Sequence, residues 1–150
     1  HEGYSIGNDL ESGKKSTDVN VFYTCNHPAI VQYRAMLFDF CKTYFSWYEV
    51  EMTALEMSDA FNIQHYKPGE GFYKWHIDGA QSDCCDRAMV YMTYLNDVPD
   101  GGTMFYHQNY KTRAKKGNTV IFPAGYTHLH KGEISEKYHK YIITGWIWWE

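Results

Sequence analysis

From Phe61 to the C-terminus this chain changes character, and that change restricts the fold more than any other feature. Short runs rich in Val, Ile, Tyr, Phe, Trp and Thr alternate with turn punctuation. The pattern predicts strands near 61–67, 72–78, 87–95, 103–106, 118–123, 127–131 and 139–148. Pro68-Gly69, Asp100-Gly101-Gly102 and Lys116-Gly117-Asn118 mark turns between them. Ahead of the strands, Ile30, Leu37, Phe40, Cys41, Tyr44, Phe45 and Tyr48 recur at helical spacing. Residues 26–48 therefore read as one helix, with Asn26 as N-cap and Pro28 in the first turn, where its missing N–H costs nothing.

One helix followed by about seven short strands implies a mainly β fold. The expected architecture is a double-stranded β-helix, the cupin-like jelly roll, braced by an N-terminal helix. The 150 residues are expected to form a single domain: a polar lead-in over 1–25, the bracing helix over 26–48 and the jelly-roll core over 61–149.

The net charge of −4 argues against a dedicated nucleic-acid binder, which usually carries a basic surplus. No apolar run reaches membrane-spanning length and none reads as a signal peptide. The four cysteines, Cys25, Cys41, Cys84 and Cys85, form no CxxC pair. They match neither a disulfide framework nor a cysteine zinc site, and a reduced, cytoplasmic setting is expected.

The stretch YKPGEGFYKWHID, Tyr66 to Asp78, carries the chemistry. Side chains two apart on a strand point to one face, so His76 and Asp78 would project together. An imidazole and a carboxylate make two thirds of a facial triad, the arrangement that holds non-haem Fe(II) with coordination positions left open. An HxD triplet alone is common by chance. A third ligand should come from a His on a later strand, with His107, His128, His130 and His139 as candidates. His128 and His130 lie two apart in PAGYTHLHKGE, and either could ligate. In the last strand, alternation places Lys140, Ile142, Thr144, Trp146 and Trp148 on one face. An inward Lys140 among apolar neighbours is costly unless it meets an anion.

With these residues in view, the sequence resembles the 2-oxoglutarate- and Fe(II)-dependent oxygenases, in particular the prolyl 4-hydroxylase-like branch. The resemblance covers roughly 61–149. Tyr66 stands ten residues before His76 of the HxD triplet. Arg87 precedes Tyr94-Leu95-Asn96 by seven. Gly101-Gly102-Thr103-Met104-Phe105 forms a Gly-Gly turn into a short strand. His130, in a His-Lys-Gly context, stands ten before Lys140, and Trp146 follows six later. This spacing favours His130 over His128.

The resemblance implies Fe(II) held by His76, Asp78 and His130, with O2 as co-substrate and ascorbate as reductant. It implies 2-oxoglutarate held by the charge of Lys140 and the hydroxyl of Tyr94, with Tyr66 beside it. Tyr73, Arg87 and Trp146 would face the substrate. The implied reaction hydroxylates an unactivated C–H and converts 2-oxoglutarate to succinate and CO2. A peptidyl proline is the expected target, and another protein side chain or a free amino acid is the alternative. Lys140, where several branches use Arg, points to the collagen-type prolyl hydroxylases and away from the nucleic-acid demethylases. Two readings compete: a non-catalytic jelly-roll module stacking its aromatics on sugars, and a cupin-type metal enzyme that uses the triad without 2-oxoglutarate.

Overall fold

The computed structural model describes residues 13–49, 55–79 and 84–150. Residues 1–12 of the expected lead-in, and residues 50–54 and 80–83, lie outside the described residues. Among the described residues, nine strands and one α-helix follow in order: β1 (Thr17–Phe22), α1 (Pro28–Trp47), β2 (Leu55–Met57), β3 (Ala60–Tyr66), β4 (Arg87–Tyr94), β5 (Thr103–Phe105), β6 (Tyr110–Lys111), β7 (Thr119–Pro123), β8 (His130–Gly132) and β9 (Lys140–Trp149). A six-stranded antiparallel sheet has the order β1-β3-β9-β4-β7, with β2 also paired to β9. A three-stranded sheet has the order β6-β5-β8. This is the mainly β jelly roll that the strand pattern implies.

The helix braces the outer face of the large sheet. Its Leu37, Cys41 and Phe45 are buried against Phe61, Tyr91, Ile143 and Ile147. Phe40 and Tyr48, which share the helical spacing, are instead exposed. The cap is His27 rather than Asn26, and its Nδ1 accepts the Ala29 N–H at 3.3 Å, with Pro28 in the first turn. Gly145 sits where β9 crosses Tyr91. A Cβ there would stand 2.1 Å from the Tyr91 hydroxyl, so the ring lies flat on the strand only because the residue is glycine.

Three expectations need correction. The lead-in contains a strand: β1 pairs with β3 from Thr17↔His65 to Phe22↔Ala60. Residues 72–78 do not form a continuous strand but an irregular segment with two isolated bridges, Lys14↔Phe72 and His76↔His130. The expected strand over 127–131 splits into a 3-10 turn, Tyr126–His128, and the short β8.

Candidate iron and 2-oxoglutarate site

The inner face of the large sheet and the edge of the small one enclose a cavity of about 1120 Å³. His76, Asp78 and His130 converge on it, and one ligand atom from each lies within 4.8 Å of the others. The backbone sets this up. His76 N–H donates to the His130 carbonyl at 2.9 Å and His130 N–H donates to the His76 carbonyl at 3.0 Å. The two histidines thus form a hydrogen-bonded antiparallel pair, whose side chains share one face. Asp78 joins them from the turn that follows.

Each imidazole is locked in the tautomer a metal needs. A carbonyl oxygen only accepts, so the nitrogen facing it carries the proton. His130 Nδ1–H donates to the His128 carbonyl at 2.9 Å, and His76 Nδ1–H donates to the Lys74 carbonyl at 3.1 Å. Both Nε2 lone pairs are left free to ligate. Burial, with His130 close by, pushes His76 down to about 4 against the pull of Asp78, which keeps the ring neutral near pH 7. The ring also stacks on Phe72, with centroids 3.5 Å apart.

Asp78 supplies the test of fit. Its Oδ1 accepts the Trp146 indole N–H at 3.0 Å. Its Oδ2 is buried without a hydrogen-bond partner and lies 3.4 Å from His130 Nε2. A buried carboxylate oxygen left unpaired is costly. The orphaned oxygen and two free imidazole lone pairs form an N2O donor set that suits Fe(II). Trp146 also carries the Arg87 guanidinium stacked on its ring at 3.8 Å. Trp146→Phe removes the N–H that orients the carboxylate. It should weaken Mn(II) or Fe(II) binding by roughly 10- to 100-fold while leaving the fold intact, as read by metal titration and a melting curve.

Lys140, Tyr66 and Tyr94 gather along the same cavity. Lys140 is buried, its amino group donating to the Glu133 carbonyl at 2.9 Å and lying 5.0 Å from the Tyr66 ring centre. Burial pushes its pKa down to about 8, against the pull of Glu133 and Asp100. The Tyr94 hydroxyl meets Thr103 Oγ1 at 2.9 Å and Thr112 Oγ1 at 2.6 Å, and burial raises its pKa. Tyr66 donates to Gln64 Oε1 at 2.6 Å, and burial raises its pKa too. Sequence reasoning missed Thr103, whose hydroxyl lines the cavity beside Tyr94; its place directly after the Gly-Gly turn was the available signal.

The remaining expected residues separate. Arg87 and Trp146 line the cavity, and Tyr73 does not. Tyr73 is exposed, with its hydroxyl donating to the Gly69 carbonyl at 2.8 Å. Arg87 Nη1 donates to the Asp78 carbonyl at 3.1 Å, and its Nε is buried without a partner. His128 lies away from the triad, between Thr127 and the Phe105 and Phe122 rings. His107 is exposed, and His139 pairs with His65 on the outer face, Nδ1 to Nε2, at 2.8 Å.

The profile of the 2OG-Fe(II) oxygenase superfamily matches residues 61–148. The chain belongs to this superfamily. It is a 2-oxoglutarate-dependent dioxygenase that uses Fe(II), 2-oxoglutarate and O2. Comparison with curated protein sequences finds no significant match. Among solved structures, a Pseudomonas putida prolyl-4-hydroxylase superposes with a TM-score of 0.73 at 21% identity, covering 93% of this chain and 74% of that one. The viral collagen prolyl hydroxylase of Paramecium Bursaria Chlorella virus-1, in its 2-oxoglutarate complex, gives 0.66 at 19% identity, covering 92% and 81%. A Trichoplax adhaerens prolyl hydroxylase in complex with a hypoxia inducible factor peptide fragment gives 0.67 at 15% identity, covering 98% and 70%. The sugar-binding module and the cupin-type metal enzyme without 2-oxoglutarate are thereby set aside. Among the described residues no helix is long and apolar enough to cross a membrane.

Proposed function

We propose that this oxygenase hydroxylates a peptidyl proline. The observation that carries the reading is the wall beside Asp78: the flat Trp146 indole, hydrogen-bonded to that carboxylate, with the Arg87 guanidinium laid on it and one buried guanidinium N–H unpaired. A planar apolar surface suits a pyrrolidine ring, and the unpaired N–H suits the carbonyl of a substrate peptide. The cavity volume, about 1120 Å³, exceeds what a small dicarboxylate fills and leaves room for a peptide segment. Prolyl hydroxylases among the structural neighbours, one of them holding a peptide, support the same reading.

His76, Asp78 and His130 would hold the iron through Nε2, Oδ2 and Nε2. Lys140 would pair with the far carboxylate of 2-oxoglutarate, and Tyr94 would add a hydrogen bond to it, a charge-assisted contact in a dry pocket. Thr112 donating to the Tyr94 oxygen would free the Tyr94 proton for that bond. Tyr66 would close the cofactor's flank. Bound Fe(II) and 2-oxoglutarate supply the oxidising chemistry, with succinate and CO2 released as O2 is consumed. The chain contributes orientation and exclusion of water.

Succinate formation from 2-oxoglutarate with Fe(II), ascorbate and O2 tests this, run with and without a proline-rich peptide. The expected result is turnover stimulated by the peptide, with one oxygen added at a proline by mass spectrometry. Turnover that no peptide stimulates, but that a free amino acid does, would overturn the prolyl target and favour the alternative substrate.

A further inference from the structure

A row of hydrogen-bonding side chains crosses the inner face of the large sheet. Asn20 on β1 lies opposite Asn62 on β3, and Asn62 lies opposite Thr144 on β9. All three line the cavity. Neither carboxamide has a hydrogen-bond partner among the described residues. The Thr144 hydroxyl oxygen is buried and has no partner either. Exposure rises along the row, from the buried Thr144 oxygen through half-buried Asn62 to exposed Asn20 on the edge strand. Two positions beyond Thr144, on the same face, Trp146 holds Asp78. The row therefore runs from beside the metal ligands out to the edge strand.

The chemistry of this row is unusual for a sheet face that encloses a cavity. Apolar side chains would close such a wall at no polar cost, and a buried hydroxyl without a partner is normally explained by something that comes to meet it. A carboxamide both donates and accepts, as does a hydroxyl. An amide also does both, and a chain of amides satisfies several such side chains in series. Neighbouring strands stand about 4.8 Å apart, so the row spans about 10 Å, roughly three residues of extended chain.

We infer that Asn20, Asn62 and Thr144 form a recognition row for amide groups of the substrate and select a peptide presenting them next to the target residue. This rests on the peptide-hydroxylase reading above and adds which wall the peptide lies along. The amides are either those of the backbone or a flanking Asn or Gln side chain, and the shared chemistry is the same.

Binding to the Mn(II)- and 2-oxoglutarate-loaded protein tests it without turnover, by calorimetry, with three acetylated pentapeptides. One is Ala-Ala-Pro-Ala-Ala; the second replaces its flanking amides by esters; the third carries Asn in place of the flanking alanines. In the wild type, a loss on ester replacement identifies backbone amides, and a gain with Asn identifies side-chain amides. The double variant Asn20→Leu/Asn62→Leu should bind the preferred peptide about tenfold more weakly and lose the discrimination between peptides. The variant Asn62→Thr, a strand former that replaces the carboxamide with a hydroxyl able to donate and accept, should fall between. Variants that bind and discriminate as the wild type does overturn the row and leave the peptide reading standing. A wild-type protein that binds none of the three peptides overturns both.

Discussion

Alanine at His76, Asp78 or His130 should abolish iron binding and turnover, while alanine at His128 should leave substantial activity. The asymmetry follows from what each histidine contributes. His130 has a free Nε2 facing the triad, and residue 128 holds its ring through the backbone carbonyl. That carbonyl survives the His128→Ala change. The His128 ring itself packs toward Phe122 and Phe105, away from the triad. Removing any ligand leaves two donors on an ion that needs three from the protein to stay bound with open positions. Removing Asp78 has a second effect, because the Trp146 indole N–H loses its acceptor. Metal titration by calorimetry and succinate formation read both consequences. Retained iron binding in His130→Ala, or its loss in His128→Ala, would mean that the third ligand has been misassigned.

Much of this site was legible in the sequence because its parts sit on regular strands. Alternation along β9 correctly placed Lys140, Thr144 and Trp146 on the cavity face, since a ten-residue strand holds its period. The HxD pair was legible as a pair, yet not for the reason alternation gives. His76 is fixed by an isolated bridge to His130, and Asp78 by a turn. A sequence period cannot show a partner that lies 54 residues away. β1 was hidden for a related physical reason. Two of its cavity-lining residues, Asp18 and Asn20, are polar and face the cavity rather than a packed core, so the strand lacks the apolar alternation that announces one. The Trp146 to Asp78 hydrogen bond was invisible too. Spacing pointed Trp146 at a substrate, and only the fold shows that its nitrogen donates to Asp78.

The largest effect on the cofactor should come from Lys140. Its amino group is buried and hydrogen-bonded to a single carbonyl, Glu133, at the wall of the cavity. If it pairs with the far carboxylate of 2-oxoglutarate, Lys140→Ala leaves that carboxylate desolvated and without a counter-charge. Truncating one partner of such a buried pair costs about 2 kcal/mol or more, so the 2-oxoglutarate dissociation constant should rise about 30-fold or more. The pH dependence gives an independent reading. Burial lowers the Lys140 pKa to about 8, so the group is charged below that pH and neutral above it in the unliganded protein. Affinity for 2-oxoglutarate should be level below about pH 8 and then fall, approaching tenfold per pH unit, because binding must first restore a proton. The stability of the unliganded protein should move the other way. Between pH 8 and the ordinary lysine value of 10.5, the unfolded chain binds the extra proton, so this group makes folding more favourable as pH rises. Lys140→Arg, with a guanidinium that stays charged, should erase the fall in affinity above pH 8 even where its different shape weakens binding throughout. Calorimetric titration of the Mn(II)-loaded protein from pH 7 to 10 distinguishes these outcomes. An affinity unchanged in Lys140→Ala and level across that range would place the far carboxylate elsewhere in the cavity.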